Sequence, residues 1–232
     1  MRQHVNPLSS FYQVERDLSP LGELFLDPSL PLHLDIGCAR GRFLLAMAPQ
    51  QPQRNHLGLE IRRPLVQLAE AERERLGLGN LRFLFCNANI SLERWLANLP
   101  PDCLDLVTIQ YPDPWFKTRH HKRRMVQPAL IGALALAMAP GRQLFIQSDV
   151  PAVINQMLEA VDSSAAFEPL DGGEWLQENP LGLATEREWQ VLDKGLPVYR
   201  RLYQRQGRCA SGDQALHNPS AEKSLAERSV RP

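Results

Sequence analysis

Between residues 32 and 160 the chain alternates short apolar runs with longer stretches of helical spacing, and few architectures tolerate that alternation. Strand-like runs fall at 32–36, 55–60, 81–86, 104–110 and 142–148, and helix-like stretches at 42–48, 64–76, 91–98, about 123–139 and 151–160. Such a series predicts an α/β fold built on a mainly parallel sheet. Gly77, Gly79 and Asn80 punctuate one helix-to-strand junction, and Pro140 with Gly141 another. Beyond residue 165 the pattern loosens around Gly172 and Gly173, before Val198 to Gln204 offers a last strand. The expected organisation is a flexible segment at 1–28, one folded domain at 29–206, and a polar, aperiodic, disordered tail at 207–232.

Bulk properties exclude more than they select. A length of 232 residues with 44% hydrophobic content supports one full core. No apolar run approaches the roughly 18 residues that span a bilayer, and Met1 to Ser10 is too polar for a secretory signal, so a cytoplasmic protein is expected. Cys38, Cys86, Cys103 and Cys209 lack metal-ligand spacing and read as reduced structural thiols. Lys plus Arg and Asp plus Glu each number 26, so any grip on a polyanion must be local. Composition leaves monomer or homodimer open.

The first strand-to-helix turn, L-H-L-D-I-G-C-A-R-G-R-F from Leu32 to Phe43, is the cofactor candidate. Gly37 permits the sharp exit from the strand, and Gly41 is expected to let the chain pass close to a ligand. Two glycines are a weak signal by themselves. Asp35 at the strand end would repel a phosphate and attract a cation, which favours S-adenosylmethionine over a dinucleotide. Glu60 ends the second strand 19 positions after Gly41, where a ribose-binding acid is expected, with a helix N-terminal acid as the lesser alternative. Asn87 follows the third strand and can meet an adenine edge or simply make a turn.

The segment Tyr111 to Arg124, Y-P-D-P-W-F-K-T-R-H-H-K-R-R, holds Asp113 between two prolines just past a strand end. Ligands of open α/β sheets bind there. Lys117, Arg119, Lys122, Arg123 and Arg124, with His120 and His121 among them, place five fixed positive charges in eight residues. Alone, such a run reads as a solvated turn; beside the proline-framed acid it reads as a phosphate grip. Trp115 is either a stacking surface or a hydrophobic plug. Adjacent histidines point apart and have no partner at ligand spacing, so no metal is expected. Thr185 with Glu188 forms a capping-box pattern, and Asp149 precedes Pro151 as a helix cap would.

Taken in order, D-I-G-C-A-R-G, G-L-E, C-N-A, Y-P-D-P-W-F-K-T-R-H-H-K-R-R and T-E-R-E resemble the bacterial tRNA (guanine-N7)-methyltransferase family over roughly residues 30–205. The fourth motif is highly specific; the others are generic to methyltransferases. The resemblance implies a Rossmann-like class I methyltransferase with a seven-stranded, mainly parallel sheet and helices on both faces. It also implies S-adenosylmethionine as methyl donor and N7 of a variable-loop guanine in tRNA as acceptor. Carried over by position, Asp35, Gly37, Gly41, Glu60, Asn87 and Asp113 would line the cofactor site. Lys117, Asp149, Thr185, Glu186, Arg187 and Glu188 would meet the substrate, and Arg119, His120, His121, Lys122, Arg123 and Arg124 the RNA. Asp35 departs from the family's usual Glu, Asn87 from Asp, Tyr111 from Phe and Ala39 from Gly. At Ala39 a negative φ, and with it a reshaped turn, is expected.

Guanine N7 carries an exposed lone pair, so methyl transfer to it needs alignment rather than a strong base. As the methyl arrives, positive charge spreads over the purine, and a carboxylate on its N1 and N2 edge would both recognise guanine and stabilise that charge. Asp113 is expected in this catalytic role, with Asp149 and Glu188 as competitors. The alternatives are a methyltransferase acting on another RNA, a protein or a small molecule, and a tRNA-binding protein without catalysis.

Overall fold

The computed structural model describes residues 5–170 and 172–207. The disordered-tail expectation, Gly207 apart, and Cys209 therefore lie outside the described residues. Strands β1 (Leu32–Ile36), β2 (Asn55–Glu60), β3 (Leu81–Phe85), β4 (Leu104–Gln110), β5 (Gln143–Ser148), β6 (Phe167–Pro169) and β7 (Tyr199–Arg205) form one sheet in the order β3-β2-β1-β4-β5-β7-β6. The first five run parallel, and β7 pairs antiparallel with both β5 and β6. After β3 the chain returns to the centre and adds β4 on the other side of β1. That reversal opens a crevice beyond the carboxyl ends of β1 and β4.

Side-chain alternation assigns the two faces. Leu32, Leu34 and Ile36 of β1 and Leu57 and Leu59 of β2 join the larger core, with residues of α4 (Ala88–Ala97), α5 (Pro128–Ala137) and α6 (Pro151–Asp162). Residues of opposite parity face α2 (Arg42–Met47) and α3 (Arg63–Arg75), where Phe43, Leu44, Met47, Val66 and Ala69 pack with Leu81 and Phe83. Helix α1 (Leu21–Leu24) adds Leu21 and Leu24 to the larger core, and Phe25 follows them.

Three features differ from the sequence expectation. The helix expected over 123–139 starts at Pro128, which fits the first turn because its missing N–H would have no partner there; Thr118–Arg123 forms a short 3-10 turn instead. The three-residue β6 was not foreseen, being too short for a periodic signal. Ala39 takes φ 52, not the expected negative value, so the usual glycine conformation is kept at the expense of backbone strain. Gly37 (φ 88) and Gly41 (φ 69) flank it in the same left-handed region.

Candidate active site

The crevice is a cleft of about 730 Å³, within the range of small-molecule sites. Its floor comes from the ends of β1, β2 and β4, and it gathers Asp35, Gly37, Glu60, Asn87 and Asp113 with Thr185, Glu186 and Arg187. Arg123 reaches it from the basic run, and Val5, Pro7 and Tyr12 enclose it from the N-terminal segment.

Asp35 is buried, and that burial pushes its carboxyl up to about 6 against the lowering effect of the Thr108 hydroxyl and the nearby Gln110 side chain. The Thr108 hydroxyl donates to Asp35 Oδ1 at 2.6 Å. Glu60 is also buried and accepts from the Ala39 N–H at 3.0 Å and the Arg62 N–H at 2.9 Å. It thereby ties the β1–α2 turn to the end of β2. The Arg62 guanidinium grips both Glu60 oxygens, at 2.8 and 3.0 Å, and feels the Asp113 carboxylate as well. Arg62 was missed by sequence reasoning; its one signal is a basic residue two places after the strand-end acid.

Asn87 caps α4 by accepting from the Asn89 N–H at 3.2 Å, while its amide donates to the carbonyls of Pro7 (3.3 Å) and Tyr12 (3.1 Å). The side chain thus seats the N-terminal segment over the cleft. Gly41 stands back from the cleft. A Cβ there would lie 2.4 Å from Phe83, so its bareness admits a core ring. Gly37 is the glycine that faces the cleft, with room for a Cβ taken by Met125 at 2.6 Å.

The proline frame is bent at both ends. Tyr111 (φ 50) and Trp115 (φ 41) are both left-handed, which turns the segment 112–114 back over the strand ends. Arg124 holds it there. That residue is buried and donates to the Pro114 carbonyl at 2.9 Å and the Ala152 carbonyl at 3.0 Å. The expected RNA contact by Arg124 therefore gives way to a structural clamp, since a guanidinium spent on backbone carbonyls has no surface to offer. Arg123 instead stacks over the Trp115 ring at 5.0 Å, and His120 meets the same ring edge-on at 5.6 Å. Lys117, Arg119, His121 and Lys122 lie outside the cleft lining, on the segment that continues from it.

Helix α7 (Glu186–Leu192) closes the opposite wall. Thr185 and Glu188 form the full capping box. Glu188 is buried, accepting from Arg200 at 2.7 Å, Asn179 at 2.8 Å and Gln147 at 3.1 Å. Its carboxylate is spent inside the protein, which removes it as a competitor for reading a guanine edge. Asp149 does not cap α6, whose N-cap Val150 has its N–H bound by Ser148 Oγ at 3.2 Å. Asp149 pairs with Arg187 and so sets the side chain that lines the cleft; Glu186 pairs with Arg42 at the rim. Cys38, Cys86 and Cys103 are free and buried. Among the described residues no group of three His, Cys, Asp or Glu is placed to hold a metal, and no helix is long and apolar enough to cross a membrane.

Comparison with known proteins adds a family. A family model described as "Putative methyltransferase" matches residues 29–201. The tRNA (guanine-N(7)-)-methyltransferase of Prochlorococcus marinus (strain MIT 9313) is 57% identical, with 96% of this chain and 98% of that protein covered. The protein of the same name from Synechococcus sp. (strain CC9311) is 60% identical, with 88% and 87% covered. Among solved structures, the 16S rRNA methyltransferase KamB superposes with a TM-score of 0.53 at 15% identity, over 81% of this chain and 91% of that one. The [4+2]-cyclase SpnF gives 0.52 at 15% identity over 80% and 78%. At those identities the likeness speaks for the fold: a Rossmann-like sheet shared with class I methyltransferases.

Proposed function

The chain belongs to the tRNA (guanine-N(7)-)-methyltransferase family, and from that premise we propose that it transfers a methyl group from S-adenosylmethionine to N7 of a variable-loop guanine in tRNA, in the cytoplasm, with residues 29–206 as the catalytic unit. One observation carries this reading: Asp35, Glu60 and Asp113 converge on one cleft, with Arg123 of the basic run at its edge.

The residues present fit the methyl donor. Asp35 brings a carboxylate to the cleft that would attract a cationic ligand, and Glu60 offers two acceptors for a ribose diol. S-adenosylmethionine supplies, when bound, an electrophilic methyl on a positively charged sulfur. Glu60, oriented by its two hydrogen bonds from the Arg62 guanidinium, would hold the ribose hydroxyls. Asn87 acts less on the adenine than through Pro7 and Tyr12, which cover the site and exclude water.

Asp113 receives the guanine N1 and N2 edge and stabilises the positive charge that grows on the purine. Asp149 acts one step removed, by orienting Arg187. Thr185 and Glu188 keep α7 in place, and Glu186 and Arg187 face the substrate. Lys117, Arg119, His120, His121, Lys122 and Arg123 lie along the tRNA backbone, where each phosphate neutralised adds to the salt dependence of binding. No metal enters this scheme, because alignment of sulfur, methyl and N7 is the chemical task.

The test is incubation with methyl-labelled S-adenosylmethionine and unmodified tRNA transcripts, followed by mapping of the labelled nucleoside. Label on N7 of the variable-loop guanine is expected. Label elsewhere, or tRNA binding with no label, would overturn the reading.

A further inference from the structure

Behind Asp35, on the sheet face that packs against α2 and α3, lies a file of buried polar side chains from the three central strands. Thr108 of β4, His33 of β1 and His56 of β2 are all fully buried. His33 Nε2 is 3.0 Å from Thr108 Oγ1, and His33 Nδ1 is 3.1 Å from His56 Nδ1. An apolar trio would pack the same space without the cost of desolvating three polar groups, so the chain has work to do beyond packing.

We propose that Thr108, His33 and His56 are positioning residues for the methyl donor, forming a single-file hydrogen-bond chain whose direction holds Asp35 as the anion that meets a cationic ligand. The proposal rests on the reading that Asp35 faces the donor. The direction follows from the acceptor at its end. An ionised Asp35 has no proton to give, so the Thr108 hydroxyl donates to it. With that proton spent, Thr108 Oγ1 accepts from His33 Nε2–H. Neutral His33 then accepts at Nδ1 from His56 Nδ1–H. His56 Nε2 is left with a buried lone pair and no hydrogen bond among the described residues, although the nearby Gln51 carbonyl favours a proton on that ring.

One proton added at this orphaned nitrogen reverses the file. His56 Nδ1 passes its proton to His33 Nδ1, His33 Nε2 passes its own to Thr108, and the hydroxyl proton goes to Asp35 Oδ1. Each intermediate group gives one proton and receives one, and both rings stay neutral. Asp35 ends protonated and no longer attracts a sulfonium. The charged and titratable groups that face the file are Glu60 and Cys38 at the Asp35 end, with the polar side chain of Gln110 near them, and Arg54 at the histidine end. Burial and Arg54 keep both imidazoles neutral, His56 being pushed down to about 4, so the change of charge falls on Asp35.

The experiment is calorimetric titration of S-adenosylmethionine from pH 5 to 7.5 with the wild-type protein, Thr108→Val, Thr108→Ser and Asp35→Asn. In the wild type, affinity is expected to fall about tenfold per pH unit below a midpoint near that of Asp35. Thr108→Val keeps the shape but removes the donor, so the midpoint rises by about one pH unit or more, and Thr108→Ser restores it. Nitrogen-15 spectra of the histidines should show His33 protonated at Nε2 and His56 at Nδ1 above the midpoint, with both tautomers reversed below it. An unmoved midpoint in Thr108→Val, with affinity changed by one factor at every pH, would overturn the proposal and leave the function intact. Asp35→Asn binding with wild-type affinity and pH profile would instead overturn the placement of Asp35 at the donor, and this proposal with it.

Discussion

The two walls of the cleft are built in different ways. On the donor side, Asp35, Glu60 and Asn87 sit at or just past the ends of adjacent strands, and the register of β1 against β2 and of β2 against β3 brings them together. On the acceptor side, Asp113 and Arg187 stand on segments outside the sheet, held by contacts remote in sequence: Arg124 to Pro114 and Ala152, Glu188 to Arg200, Asp149 to Arg187. Strand ends position side chains as a consequence of the fold itself. Loops need dedicated buried polar groups, and those groups look like functional residues until their partners are seen.

The contrast breaks most readily at Glu188. Glu188→Ala strands the buried Arg200 guanidinium, and denaturant unfolding should show a loss of about 3–5 kcal/mol. Unchanged stability with lost activity would return Glu188 to the substrate. Asp113→Ala should do the opposite, cutting single-turnover methyl transfer by about 10²–10³ with tRNA affinity and unfolding midpoint nearly unchanged. Equal loss of tRNA affinity would remove the distinction between reading and gripping.

Next in size is the pH dependence of stability on the donor side. The folded-state value of His56 lies at about 4 and the unfolded value near 6.5, and that of His33 is lowered too. The unfolded chain therefore binds more protons, and stability is lost as pH falls from 6.5 towards 4. Asp35, at about 6 folded and 3.8 unfolded, works in the other direction between those values. Asp35→Asn should remove that offset and steepen the acid loss in thermal melts; a shallower loss would contradict the assignment.

The smallest pair of effects separates neighbours. Arg124→Ala should lower stability by about 1–3 kcal/mol through two lost charge-assisted hydrogen bonds. Arg123→Ala should leave unfolding unchanged and reduce the salt slope of tRNA binding by about one. Identical behaviour of the two variants would dissolve the difference between clamp and grip.

Much of the donor wall was legible in the sequence, because strand, turn and helix signals are local and a residue at a strand end inherits its place from them. Asp35, Gly37 and Glu60 fall within a single strand–turn–helix–strand unit, and Asp113 is announced by the prolines beside it. Gly41 looked like part of the ligand turn because its conformation is the one such turns use; the ring of Phe83, 42 positions on, supplies the other reason for its bareness. Arg124 was indistinguishable from Arg123 in a run of like charges, since adjacent residues on a tight turn can point to opposite sides. The roles of Pro7 and Tyr12 left no local signal at all, as Asn87 reaches them across 80 and 75 positions.

Sequence by itself determined the alternating α/β order, the strand ends where ligands bind, and the family to which the motifs point, because each rests on short-range periodicity or on residues close together in the chain. Tertiary structure alone decided which carboxylates are spent internally, which arginine clamps and which grips, and that His33, His56 and Thr108 line up behind Asp35. Those outcomes depend on strand order and face, which place residues tens of positions apart within hydrogen-bonding distance and exclude the water that would otherwise satisfy them.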